Sequence, residues 1–317
     1  MAFTSLGDDP VPGDGNASYD TFVHDRNTGE TTWISVDSAG IEGNGHCFSP
    51  SISANGRLVA FDSLADNLVP GDDNGSYDVF VHDRKTGETT RISVNSAGIE
   101  GNDNCFSPSI SASGRFVAFQ SLADNVVPGD GNASNDIFVH DRKTGETTRV
   151  SVDSVGSGGN DHCFIPSISA NGRLVAFQGR AGNLVPGDGN VSDDIFVHDR
   201  KTGETTRVSV DSGGIEAGDF SFEPAISPNG RLVAFKGRAT NLVPGDGNVS
   251  DDVFVHERKT GETTRVSLDS AGVEGNGTSY QPSISANGRF VAFGSVSGNL
   301  VEGDGNASDD VFVHDRK

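Results

Sequence analysis

Six loops of this chain set an aspartate, an asparagine, a serine and a second aspartate at alternate positions: Asp14, Asn16, Ser18, Asp20; Asp72, Asn74, Ser76, Asp78; Asp130, Asn132, Ser134, Asp136; Asp188, Asn190, Ser192, Asp194; Asp246, Asn248, Ser250, Asp252; and Asp304, Asn306, Ser308, Asp310. Hard cations such as Ca2+ take about six to eight oxygens, and alternate residues of a curled loop can turn carboxylates, amides and hydroxyls toward one point. Each loop is therefore a candidate calcium site. The spacing matches the first half of an EF-hand loop, without its distal glutamate or its flanking helices. The competing reading is turn capping, in which Asp and Asn bond their own backbone with or without a metal. Electrostatics favours the ion, because two carboxylates in each of six loops make 12 of the 45 acidic groups. Clusters of that kind without a counter-charge repel.

The whole chain shares this bias: 45 Asp and Glu against 23 Lys and Arg give a formal charge of −22. Such a surface repels phosphate backbones and anionic lipid, so nucleic acid is excluded as a partner and a protein or a glycan is expected. No apolar run approaches the roughly 20 residues of a spanning helix, and Met1 is followed by no basic or hydrophobic leader. No membrane insertion is expected, and the chain as given carries no signal peptide. Met1 stands where Val59, Val117, Val175, Val233 and Val291 stand in the other copies, so the chain opens inside a repeat.

Those copies are what must position the loops. Phe3, Phe61, Phe119, Phe177, Phe235 and Phe293 fall 58 residues apart without an insertion, as do the six Phe-Val-His triplets that begin at Phe22, Phe80, Phe138, Phe196, Phe254 and Phe312. A fixed period of this size marks stacked supersecondary units that bury apolar faces only against one another. In residues 50–107, Pro50–Ser53 reads as a first short strand and Asn55-Gly56 as a hairpin turn. Arg57–Ser63 is then a second strand, Asp78–Arg84 a third after the acidic loop, and Thr89–Val94 a fourth after the turn at Lys85–Glu88. No helical period appears. Four antiparallel strands per repeat, in tandem, predict an all-β propeller of four-stranded blades. The prediction is one domain over 1–317: a partial repeat 1–49, repeats 50–107, 108–165, 166–223 and 224–281, and a partial repeat 282–317. Six blades use every strand, with the first and last incomplete. Five blades are the alternative, in which Thr31–Val36 would complete the C-terminal copy.

The run Pro-Ser-Ile-Ser-Ala-Asn-Gly-Arg-Leu-Val-Ala-Phe at 50–61, followed by Asp-Val-Phe-Val-His-Asp-Arg-Lys-Thr-Gly-Glu at 78–88, resembles the TolB-like propeller repeat of bacterial proteins, and the likeness covers the whole chain. The resemblance implies a propeller of usually six blades, with the strand after the proline innermost, the strand after Thr-Gly-Glu outermost, and often an extracytoplasmic location. It carries over no function.

The remaining chemistry is thin. Cys47, Cys105 and Cys163 share one repeat position, and an odd count without Cys-x-x-Cys spacing predicts neither disulfides nor zinc. The six histidines at 24, 82, 140, 198, 256 and 314 read as packing residues, and Arg57, Arg115, Arg173, Arg231 and Arg289 as structural partners. Symmetry breaks carry more information: Trp33 for the Arg of other copies, Arg180 and Arg238 for Leu, and Lys236, Glu302, Phe220, Phe222 and Glu223. These singletons read as scattered over different strands. The chain is accordingly expected to be a non-enzymatic, calcium-binding scaffold for a protein or glycan. A lyase or hydrolase with a central site is the alternative, and a purely structural amplified or engineered repeat is another. A monomer is expected, with dimerisation through the incomplete terminal blades as the rival state.

Overall fold

Gly-centred turns cut β-branched and aromatic runs into short antiparallel strands. A computed structural model describes residues 1–6, 11, 15–306 and 308–316; Asp14 lies outside the described residues. All strands fall into six antiparallel sheets built from consecutive chain segments. Two compact units divide them three and three, Met1–Val150 and Ser151–Lys317.

In the first unit, blade 1 holds β1 (Ala2–Ser5), β2 (Asp20–His24) and β3 (Thr31–Trp33). Blade 2 holds β4 (Cys47–Ile52), β5 (Leu58–Ser63), β6 (Asp78–Asp83) and β7 (Glu88–Arg91), and blade 3 holds β8 (Cys105–Ile110), β9 (Phe116–Ser121), β10 (Asp136–Asp141) and β11 (Glu146–Arg149). In the second unit, blade 4 holds β12 (Cys163–Ile168), β13 (Leu174–Gly179), β14 (Asp194–Asp199) and β15 (Glu204–Arg207). Blade 5 holds β16 (Ser221–Ile226), β17 (Leu232–Gly237), β18 (Asp252–Glu257) and β19 (Glu262–Arg265), and blade 6 holds β20 (Ser279–Ile284), β21 (Phe290–Ser295) and β22 (Asp310–Asp315). Six blades are present; among the described residues four have four strands and two have three. Thr31–Trp33 pairs with β2, in the register Phe22↔Trp33, so it belongs to blade 1 and not to the C-terminal copy.

The first strand of each complete blade starts three residues earlier than the Pro50 pattern suggests, at Cys47 in blade 2. Its proline lies inside a bulge: the register shifts between Phe48 and Ser51, and Ser49 takes a left-handed φ of 51°. A bulge accommodates proline because it removes one ladder position.

The core lies between successive blades of each unit. Leu58, Ala60, Val79 and Val81 of blade 2 pack on Cys105, Val117, Phe119 and Phe138 of blade 3, and Leu174, Ile195 and Val197 of blade 4 pack on Val233, Phe235 and Phe254 of blade 5. Burying each Phe side chain is worth about 2–3 kcal/mol. Two features fix the stacking, one steric and one polar. Gly114, at φ +74°, sits where a Cβ would lie 2.1 Å from Leu58 Cδ1 of the preceding blade. The Thr89 hydroxyl donates across to Val36 O at 2.5 Å and its N–H to Ser38 Oγ at 3.0 Å. His82 Nδ1 lies 2.9 Å from the same hydroxyl oxygen, which therefore accepts the imidazole N–H. The histidine is thus a packing residue, as its period implies, and burial lowers its pKa.

Candidate functional site

The acidic loops converge, but on an arginine and not through all four alternate residues. In blade 2, Arg91 at the end of β7 places Nη1 3.3 Å from Asp72, 3.5 Å from Asp78 and 3.1 Å from Glu100. Arg207 repeats this with Asp188, Asp194 and Glu216 at 3.5, 3.4 and 2.6 Å, and Arg265 with Asp246, Asp252 and Glu274 at 3.4, 3.1 and 2.7 Å. In blade 3 Arg149 meets Asp130 and Asp136 at 3.1 and 3.4 Å, and Gly158 stands where the glutamate would be. The clusters are therefore not without a counter-charge, contrary to the reading of the sequence.

Asparagine and serine are turned elsewhere. Asn74 Oδ1 accepts the Ser76 N–H at 2.6 Å while Nδ2 donates to Gly101 O at 2.9 Å; Asn16, Asn190 and Asn248 bond Gly43, Ala217 and Gly275 carbonyls in the same way. The hydroxyls of Ser134, Ser192 and Ser308 donate to the carbonyls of Asn132, Asn190 and Asn306 in their own loops. These are Asx-type turns. Asp78 accepts the Ser93 hydroxyl, and Asp20 accepts that of Ser35 at 2.5 Å in blade 1, where Trp33 replaces the arginine and donates its indole N–H to the same hydroxyl at 3.0 Å. Asp304 and Asp310 stand in blade 6, whose sheet has three strands among the described residues.

Two groups of carboxylates, Asp72/Asp78/Glu100 and Asp188/Asp194/Glu216, have oxygens within 4.8 Å of one another and could hold a metal ion. The guanidinium occupies the same place, and the loop amides are committed to turns, so these donors do not meet calcium's demand for about six to eight oxygens. Burial, then the repulsion of Asp78, pushes Asp72 up to about 7; Asp194 also reaches about 7, mainly through burial.

A second constellation was not read from the sequence. Within each unit, first strands are pinned to the residue before the third strand of the preceding blade: Cys47 N–H donates to Tyr19 O, Cys105 N–H to Tyr77 O, Ser221 N–H to Asp193 O and Ser279 N–H to Asp251 O, all at 2.7 Å. This brings rings together across blade boundaries in the first unit. Tyr19 lies 5.2 Å from Phe48 and 5.8 Å from His46, Phe48 lies 6.4 Å from Tyr77, and Tyr77 lies 5.2 Å from Phe106. The rings are half-buried, with Tyr19 39% exposed. Below them Asp62 is buried, pairs with Phe48 and Val79, and accepts the Ser107 N–H at 3.1 Å. Burial raises its pKa to about 6.

In the second unit the tyrosine position holds Asp193, Asp251 and Asp309. Asp251 takes Arg238 Nε at 2.8 Å and Lys236 Nζ at 3.3 Å, and Lys236 lies 4.8 Å over the Phe222 ring, which stacks on Phe220. Burial opposes ionisation of Asp251, yet Arg238 and Lys236 hold its pKa below the ordinary value. So four singletons expected to scatter meet around one carboxylate. The signal was the Tyr-to-Asp change at one repeat position. Cys47, Cys105 and Cys163 are fully buried; burial pushes the Cys47 thiol up to about 12, which rules out a thiolate nucleophile.

The fold is that of a β-propeller. No family model matches the sequence, and no curated protein is similar to it by sequence comparison. The structure clearly resembles TolB-like propellers: TolB from Acinetobacter baumannii superposes with a TM-score of 0.55 at 16% identity, over 94% of this chain and 61% of that one. The chain thus spans less than two thirds of that protein's length. An oligogalacturonate lyase in complex with manganese matches with a TM-score of 0.56 at 14% identity, over 93% of this chain and 71% of the other. The β-propeller domain of the Trilobed protease from Pyrococcus furiosus, described as having an open velcro topology, gives 0.53 at 14% identity over 86% and 70%. At these identities the likeness is one of fold.

Proposed function

We propose that the protein is a non-enzymatic binding propeller that takes an extended, uncharged glycan along the aromatic row of its first unit. The observation that carries this reading is the run Tyr19, Phe48, Tyr77, Phe106, half-exposed rings at successive blade boundaries. Such rings offer flat apolar faces with a polar rim, which suits sugar faces and positions hydroxyls without charge. The net charge of −22 disfavours polyanionic ligands. In this reading arginine replaces calcium as the resident cation of blades 2–5, and the acidic loops are structural. An array of immobilised neutral oligosaccharides probed with the labelled chain tests it. Saturable binding weakened about tenfold or more by Tyr77→Ala, at unchanged melting, is expected; absence of binding to every glycan, or indifference to Tyr77→Ala, would sink it.

A lyase or hydrolase is the second reading, favoured by Asp62, a buried carboxyl raised to about 6 beside that row. It predicts that the chain depolymerises a glycan such as oligogalacturonate and that Asp62→Asn abolishes the turnover.

A further inference from the structure

Blades 4 and 5 carry the same set of side chains around one carboxylate, save for a single lysine. In blade 5, Lys236 of β17 stands opposite Phe222 of β16. Its Nζ lies 3.3 Å from Asp251 Oδ2 and 4.8 Å from the centre of the Phe222 ring, while Arg238 Nε lies 2.8 Å from Asp251 Oδ1. An ammonium group thus sits between a carboxylate and the face of a ring, and both attract it.

Blade 4 repeats every part but the ammonium. Asp193 stands at the position of Asp251, Arg180 at that of Arg238, and Phe164 at that of Phe222. Phe164 stacks on His162 at 5.6 Å, as Phe222 does on Phe220 at 5.7 Å. Opposite Phe164 the register places Gln178 instead of lysine. Asp193 and Gln178 are only 4% and 7% exposed, and among the described residues neither Asp193 Oδ1 nor Gln178 Oε1 has a hydrogen-bond partner. Arg180 meets the two oxygens of Asp193 at 3.5 Å each, beyond good hydrogen-bond length, and its side chain is 44% exposed. A carboxylate and an amide oxygen buried without donors are unfavourable. The pair therefore calls for a donor that carries positive charge.

We propose that Asp193, Gln178 and Phe164 form a binding site for the ammonium group of a small primary amine, which takes in blade 4 the place that Lys236 Nζ takes in blade 5. Asp193 supplies the counter-charge, Gln178 Oε1 accepts a second N–H, and the Phe164 ring faces the cation. A quaternary ammonium has no N–H for either oxygen and does not fit.

The probe is methylammonium chloride, exchanged for sodium chloride at constant ionic strength while thermal melting of the full chain is followed. A ligand that binds only the folded chain raises its midpoint, and a saturable rise of about 2 °C or more is expected. Gln178→Lys, which supplies the ammonium from within, is expected to raise the midpoint by itself and to abolish the response; Asp193→Asn also abolishes it. Lys236→Gln gives blade 5 the side chains of blade 4, and is expected to lower the midpoint and to enlarge the response to methylammonium about twofold. The proposal is overturned if the parent chain melts alike in both salts, if Gln178→Lys still responds, or if Lys236→Gln responds no more than the parent. It is equally overturned if tetramethylammonium or potassium chloride matches methylammonium, which would mark a general salt effect or a site for an alkali cation.

Discussion

Arg91 shows how much one side chain decides. Its guanidinium is 11% exposed and lies among three carboxylates, so Arg91→Gln leaves a buried acidic cluster without its cation, at a cost of about 3–5 kcal/mol. Urea denaturation is expected to show that loss, and millimolar calcium to recover part of it in the variant while leaving the parent chain unmoved. Arg57 pairs with Asp83 at 2.5 Å, but its side chain is 43% exposed. Arg57→Ala is therefore expected to cost no more than about 1 kcal/mol in the same measurement. The pH dependence of the cluster has a definite sign. Asp72 is held up at about 7, far above the roughly 4 of an unfolded chain. Its contribution is full below about pH 4 and is lost as pH rises through 7. The stability of the parent relative to Asp72→Asn should therefore fall by roughly 2 kcal/mol or more between pH 4 and 8. The comparison with Asp72→Asn is needed because buried His82 and its copies carry the opposite sign: their pKa values are lowered, so acid destabilises them. The acidic loops were legible as a pattern of residue types. Their partners were not, because Arg91 comes from the fourth strand and Glu100 from the hairpin beyond it, and only strand pairing brings them to Asp72 and Asp78. Trp33 replacing arginine was the visible trace of that arrangement.

Among elements, the second and third strands were readable to within a residue because uninterrupted β-branched runs bounded by Gly turns leave little choice of register. The first strand was misjudged at its start, since the proline in Phe48–Ser51 hides a bulge that only the neighbouring strand reveals. The aromatic row was missed for a related reason: its members, Tyr19, Phe48, Tyr77 and Phe106, sit 29 residues apart and are brought together by the Tyr19 and Tyr77 carbonyl contacts between blades. The hairpin turns do more than reverse the chain. Gly114 combines a left-handed φ with closeness to Leu58, so Gly114→Ala is expected to cost more than about 1 kcal/mol, whereas Gly129→Ala, also left-handed but with no neighbour, isolates the backbone share. Paired thermal melts of the two variants would separate packing from conformation. The blade-to-blade clasp is similarly testable. Thr89→Val keeps the shape but strips Val36 O and His82 of a partner, for an expected loss of about 1–3 kcal/mol.

For the whole chain, unequal blades imply unequal stability. Among the described residues, β22 and β1 each pair on one side only, while β14 is paired on both sides and buried throughout. Hydrogen exchange should be more than about tenfold faster in β22 than in β14, and equal rates would mean that the edge of blade 6 is already covered. Counting strands favoured six blades over five, and the pairing of Thr31–Trp33 with β2 decides for six, since strand counting alone could not say which copy that strand joins. The aromatic row was not legible, because it depends on which unlike residues meet where successive blades of the first unit abut. Each blade is nevertheless closed within its own stretch of chain, from β4 to β7 or from β12 to β15. Unequal crossing-over between two gene copies of the repeat therefore inserts or deletes a whole blade without cutting a strand. A change in blade number of this kind leaves every strand of the remaining blades paired as before.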